Sequence, residues 1–257
     1  MRALVCPPAT TFAAGLTTSG LGPPDLALAL AQHAAYCAAL ARCGVAVEHL
    51  AAAADHPDST FVEDTAVIVG ARALLTRPGA PSRAGEVALV RPALARLCAR
   101  LDAIEPPGTL DGGDVCATAE RLLIGISRRT NPAGARQLAE WASAGGLGAD
   151  FVDLRDRDDL LHLKSGLAWL GAGRVAVVDA LAAHPALAGF ERVRVEPDEA
   201  YAANCVRIGD RVLLGEGHPR FEAALRALGL APLPLALSEF RKMDGGPSCL
   251  SLRLGAP

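Results

Sequence analysis

The sequence predicts an α/β domain in which five similar units close around one axis. Three observations carry this expectation. One pattern returns along the chain: a polar residue, a short apolar strand, a Gly or charged turn, a second apolar strand, then a loop and a helix. No low-complexity linker separates its copies, so residues 1–257 read as one domain. Finally, 51% of the residues are hydrophobic, and units that cannot bury their own faces close on one another.

In chain order, residues 3–7 read as a strand, and residues 11–24, rich in Gly, Thr, Ser and Pro, as a mobile loop. Pro24-Asp25 opens a helix from Leu26 to about Cys43, stopped by Gly44. Residues 45–50 alternate like a strand. The first full unit begins at Glu63-Asp64, with strands near 65–69 and 73–76 and a helix to about Leu101. The second begins at Gly112-Gly113-Asp114, with strands near 115–117 and 121–125 and a helix to about Ala144. The third begins at His162, with its second strand at 174–178. The fourth begins at Asn204-Cys205, with its second strand at 211–214 and a helix over about 219–228. The fifth begins near Gly246 and breaks off after Cys249, so the N-terminal strand and helix are expected to complete it.

Composition excludes several classes of function. Net charge is −3 with acids and bases mixed, which leaves no basic patch for nucleic acid. No uncharged apolar run is long enough to span a membrane, and the N-terminus reads as a strand, not a leader. Seven cysteines without a CxxC pair fit neither a disulfide framework nor a zinc cluster, so the expectation is a cytoplasmic protein. Lys164 and Lys242 are the only lysines, which reads first as a compositional bias.

Closing the ring gathers the unit entrances Asp64, Asp114, His162, Asn204 and Cys249 at its centre. Taken singly, each has a plain reading. Cys249 can be a small core hydrophobe, Glu63-Asp64 a solvated turn, Asp111-Gly112-Gly113-Asp114 a tight loop, and His162 a satisfied structural residue. Their recurrence at equivalent positions favours a shared pocket. A thiol near an imidazolium becomes a nucleophile for an electrophilic carbon. The carboxylates Asp58, Glu63, Asp64, Asp111 and Asp114 call for a planar cation such as guanidinium. Arg83 and Arg129, on two loops, are placed to hold the carboxylate end of an amino acid.

The segments 58–66, 76–83, 110–115, 127–131, 162–166, 201–205 and 243–252 resemble, in order and spacing, those of the dimethylarginine dimethylaminohydrolases of the pentein, or guanidino-group-modifying, superfamily. The resemblance implies a five-bladed α/β propeller of pseudo-fivefold ββαβ repeats with its site on the axis. It implies Cys249 as nucleophile, His162 as general acid and base, and Asp111 as the carboxylate beside His162. Leu16 would belong to a lid. Asp58, Glu63, Asp64 and the backbone carbonyl of Met243 would contact substrate, and Arg83 and Arg129 its carboxylate. The implied activity is hydrolysis of methylated arginines to citrulline through a covalent thiouronium, without metal or cofactor. The partner would be a small guanidine amino acid, with a homodimer left open. Two alternatives remain: an arginine deiminase-like hydrolase of another guanidine, and a non-catalytic binding propeller.

Overall fold

Among residues 1–255, which the computed structural model describes, fifteen strands form five three-stranded sheets. Each sheet is one blade. In the first, Ala66–Val69 runs antiparallel to Arg72–Leu75, which runs parallel to Arg100–Ala103. The next three blades repeat this order, with middle strands Arg121–Ile126, Arg174–Val178 and Arg211–Gly215. The fifth is closed by the two ends of the chain: Leu252–Leu254 pairs with Arg2–Val5, which pairs with Ala46–His49. The expected N-terminal completion of the last unit is therefore present.

Middle strands read as nearly unbroken apolar runs because both of their faces are buried. Side chains alternate along a strand, so each middle strand feeds two cores. Ala73 and Leu75 pack with Leu4 and Leu252, whereas Leu74 packs with Leu122 and Ile124. Leu123 belongs with Val175, Val177, Val212 and Leu214. Leu213 joins Ala3, Val5 and Leu40. Neighbouring blades thus share every core, which is why no unit stands alone.

A parallel third strand needs a crossover, and a helix supplies it in each blade. Leu26–Arg42 starts where the Asp25 carboxylate accepts from Leu28 N, and Pro132–Ser143 where Asn131 accepts from Gly134 N. One expected boundary is corrected here. The helix expected to reach about Leu101 ends at Leu97, because Cys98 turns extended and Arg100–Ala103 pairs as a strand. That edge strand reads Arg-Leu-Asp-Ala and is half exposed, so its apolar signal is weak. No helix among the described residues is long and apolar enough to cross a membrane.

Each blade's first strand is entered through a short, tight helical segment: Val62–Thr65, Gly112–Asp114, Leu163–Ser165, Pro197–Ala203 and Pro247–Leu250. Successive turns touch around the axis, and Asn204 closes the circuit by accepting from Ser248 N. Cys249 was expected at the start of a strand. It lies instead in the last of these turns, ahead of Leu252–Leu254.

Candidate active site

Two adjacent glycines let the entrance turns of the first two blades meet. A Cβ on Gly112 would fall 2.0 Å from the Glu63 carbonyl oxygen, and one on Gly113 would fall 2.8 Å from both Asp64 Oδ1 and His162 Nδ1. The Asp-Gly-Gly-Asp segment is therefore read by close approach, not only as a turn. Its two carboxylates do different work. Asp111 Oδ2 lies 3.0 Å from His162 Nε2, while its Oδ1 accepts from Gly79 N. Asp114 accepts from the hydroxyls of Ser127 and Thr130 and from Leu163 N, so it braces the turn that carries His162.

His162 is 8% exposed. Burial alone would discharge it, but Asp64, Asp114 and Asp111 outweigh that and bring its pKa up to about 9. The Asp64 carboxyl, buried as it is, is brought down to about 2 by His162, Arg83 and the Gly113 N–H. Asp64, Asp111 and His162 place ligating atoms within 4.8 Å of one another, a spacing that a metal ion could bridge. Arg83 and His162 bring their own positive charge to these carboxylates, Arg83 on Asp64 and His162 on Asp111.

Cys249 is half-buried and stands among weak donors: Gly246 N at 3.5 Å and Asn204 Nδ2 at 3.7 Å from Sγ. Burial, then the charges of Glu63 and Asp64, push its thiol up to about 11. Asp64 therefore acts on both the sulfur and the imidazole. Glu63 is held by three donors: Lys164 at 2.7 Å and Arg253 at 3.1 Å on Oε1, and the Ser248 hydroxyl at 2.7 Å on Oε2. Sequence reasoning missed all three. Ser248 stood beside Cys249 in the same motif, Lys164 was one of two lysines, and Arg253 was a lone charge in an apolar strand.

Arg83 was expected to bind the substrate carboxylate. It is instead buried, with Nε and Nη2 on Glu86, Nη1 on Asp64 at 2.6 Å, and Nη2 also on the carbonyls of Phe61 and Asp58. Nη1 makes a single hydrogen bond, to Asp64. Truncating a buried ion-paired arginine strands its carboxylates, so Arg83→Ala should cost about 3–5 kcal/mol of stability. Denaturant unfolding that shows a loss below about 1 kcal/mol would contradict this brace role. Arg129 differs: its guanidinium has no hydrogen-bond or ion-pair partner among the described residues, and its charge reaches Asp58. Its neighbour Arg128 is exposed and paired with Asp158.

Leu16, expected in a lid, is 41% exposed, and its N–H donates to both oxygens of Asp58, at 3.0 and 3.2 Å. The expected loop is rooted by Phe12, buried against Phe61 and Phe240. Its far end is latched. Thr17 and Ser19 hydroxyls donate to the Lys242 carbonyl, and Thr18 donates to Asp244 from both N and Oγ1. The Met243 side chain is buried, and its carbonyl accepts no hydrogen bond among the described residues.

No family model matches this sequence. A curated N(G),N(G)-dimethylarginine dimethylaminohydrolase of Pseudomonas aeruginosa is 39% identical over 247 residues, covering 96% of each chain. The chain belongs to the dimethylarginine dimethylaminohydrolase family. Another member, from Streptomyces coelicolor, is 39% identical over 254 residues, 98% of this chain and 96% of that one. Among solved structures, the P. aeruginosa dimethylarginine dimethylaminohydrolase, as a cysteine-to-serine mutant complexed with citrulline, superposes with a TM-score of 0.95 at 37% identity, covering 98% of both chains. A histidine-to-glycine dimethylarginine dimethylaminohydrolase, as an adduct with S-methyl-L-thiocitrulline, gives 0.94 at 37% identity, with 98% and 99% covered. The N-terminal domain of a cyanobacterial arginine dihydrolase is 19% identical at 0.89, with 98% and 97% covered, and shares the fold. The pentein propeller that the resemblance implies is thus the fold of the family.

Proposed function

We propose that the chain hydrolyses dimethylarginine and monomethylarginine to citrulline and the corresponding methylamine. What carries the reading is the shared neighbourhood of Cys249 and His162, both under the charge of Asp64. Family members complexed with citrulline or joined to a thiocitrulline support the substrate class.

Substrate guanidinium brings a positive charge to Glu63 and Asp64, where it also favours the Cys249 thiolate. The thiolate attacks the guanidinium carbon, forming a C–S bond. His162 gives its proton to the departing methylamine nitrogen as the C–N bond breaks, and an S-linked thiouronium remains. The now neutral His162 takes a proton from water. The oxygen adds to the same carbon, and the C–S bond breaks to return Cys249 and citrulline. Asp111 holds the imidazole oriented through both proton transfers. Arg129, with Nη1 of Arg83, holds the substrate carboxylate. Asp58 and the Met243 carbonyl meet the substrate near the lid at Leu16. We assign the chain to the cytoplasm, in keeping with seven cysteines that all stand free.

Turnover tests the reading. Citrulline release should be fastest from methylated arginines, with unsubstituted arginine slower. Preference for arginine would make the chain a deiminase instead, and inactivity on every guanidine would leave a binding protein. The lid should matter separately. Asp244→Ala removes two hydrogen bonds to Thr18, each worth about 0.5–1.5 kcal/mol. KM should rise severalfold with the fold intact, and an unchanged KM would show that the latch does not hold the closed lid.

A further inference from the structure

A cavity of about 180 Å³ runs along the propeller axis behind Glu63. The first strands of all five blades line it, and Gly70, Ala117 and Gly255 form an exposed rim at their far ends. Glu63 lines this cavity, and its carboxylate also accepts from the hydroxyl of Ser248, the residue next to Cys249. The cavity is far larger than the roughly 10–15 Å³ that a single water needs.

Its charge is unbalanced. The charged residues lining it are Glu63, Lys164, Arg207 and Arg253, three cations against one carboxylate. Lys164 and Arg253 both pair with the same Glu63 oxygen, and Arg253 also donates from Nη1 to the Ser248 and Ser251 carbonyls and the Ser251 hydroxyl. Among the described residues Arg207 has no ion-pair or hydrogen-bond partner, and its buried Nε is unsatisfied. Its guanidinium lies over Gly171, where a Cβ would fall 1.7 Å from Nη1, so no side chain competes for it there. A guanidinium whose buried Nε meets no acceptor, in a cavity that two more cations also line, calls for an anionic partner.

We propose that the axial cavity binds a small tetrahedral oxyanion, inorganic phosphate or sulfate, held by Arg207 together with Lys164 and Arg253. Guanidinium and ammonium groups offer several charge-assisted donors that match such an ion. The site is separate from the pocket for guanidine substrates and carries no reaction. Bound anion would share Lys164 and Arg253 with Glu63 and so touch the floor of that pocket from behind.

Calorimetric titration with inorganic phosphate at fixed ionic strength, without substrate, tests the proposal independently of turnover. The full chain should bind one phosphate saturably. Arg207→Gln should weaken binding at least about tenfold, the loss of a charge-assisted contact. Arg207→Lys, which keeps the charge but not the fork, should fall between the two. Arg155→Gln, which alters an exposed arginine paired with Asp153, should leave the affinity unchanged. Absence of saturable binding, equal affinity in the Arg207→Gln protein, or an equal loss in the Arg155→Gln protein would overturn the proposal.

Discussion

Replacing Cys249 with serine should abolish citrulline formation, lowering kcat by at least about 10⁴-fold while leaving the fold unchanged. The reasoning starts from the thiol's surroundings. Burial and the charges of Glu63 and Asp64 push the Cys249 pKa up to about 11, so even sulfur ionises reluctantly before substrate binds. A serine hydroxyl ionises far less readily than a thiol, and the backbone and amide donors beside it, Gly246 N and Asn204 Nδ2, are distant. The arriving guanidinium helps a thiolate form, but cannot make up the larger deficit of an alkoxide. The substitution is nearly isosteric and leaves Ser248 free to keep its bond to Glu63. A haloacetamidine, a cationic guanidine mimic that alkylates thiols, should add mass to the native protein at residue 249 and not to the variant. Citrulline release above about one per cent of the native rate by a correctly folded serine variant would remove Cys249 from the chemistry.

How much of this was legible in the sequence depended on which physical signal each element carries. Middle strands such as Arg174–Val178 and Arg211–Gly215 were plain, because burial on both faces writes an unbroken apolar run. Third strands such as Arg100–Ala103 were not, because an exposed edge carries almost no hydrophobic pattern. The entrance residues were legible through their recurrence, and His162 falls beside Asp111 as expected. The support behind Glu63 was hidden, since Lys164 and Arg253 lie 101 and 190 residues away from it and nothing local marks their convergence. Arg83 shows the converse. Its position was legible, but only the structure shows most of its donors turned inward onto Asp64, Glu86 and two carbonyls.

Replacing His162 with glutamine should lower kcat/KM by about 10²–10⁴-fold and remove one limb of its pH profile. Glutamine still reaches Asp111 by hydrogen bond, but it neither delivers a proton to the leaving amine nor takes one from water. In the native protein the imidazolium persists up to about pH 9, because Asp64, Asp114 and Asp111 overcome the penalty of burial. The free thiol ionises only near pH 11. Attack needs a thiolate and an acidic imidazolium together, so the order of the two pKa values makes the competent form a minority before substrate binds. The profile of kcat/KM, which reports the free protein, should therefore be a bell on the alkaline side, bounded near 9 and 11. Substrate guanidinium lowers the thiol pKa, so the profile of kcat should extend to lower pH. The same shift has a stability consequence with a definite sign. A histidine whose pKa is raised on folding stabilises fully below its unfolded value of about 6.5, and that contribution drains away as pH rises through about 9. Native stability should fall over that window, and the His162→Gln protein should lose this part of the slope. A glutamine variant that kept both the bell and the alkaline loss of stability would show that residue 162 is not the group that titrates.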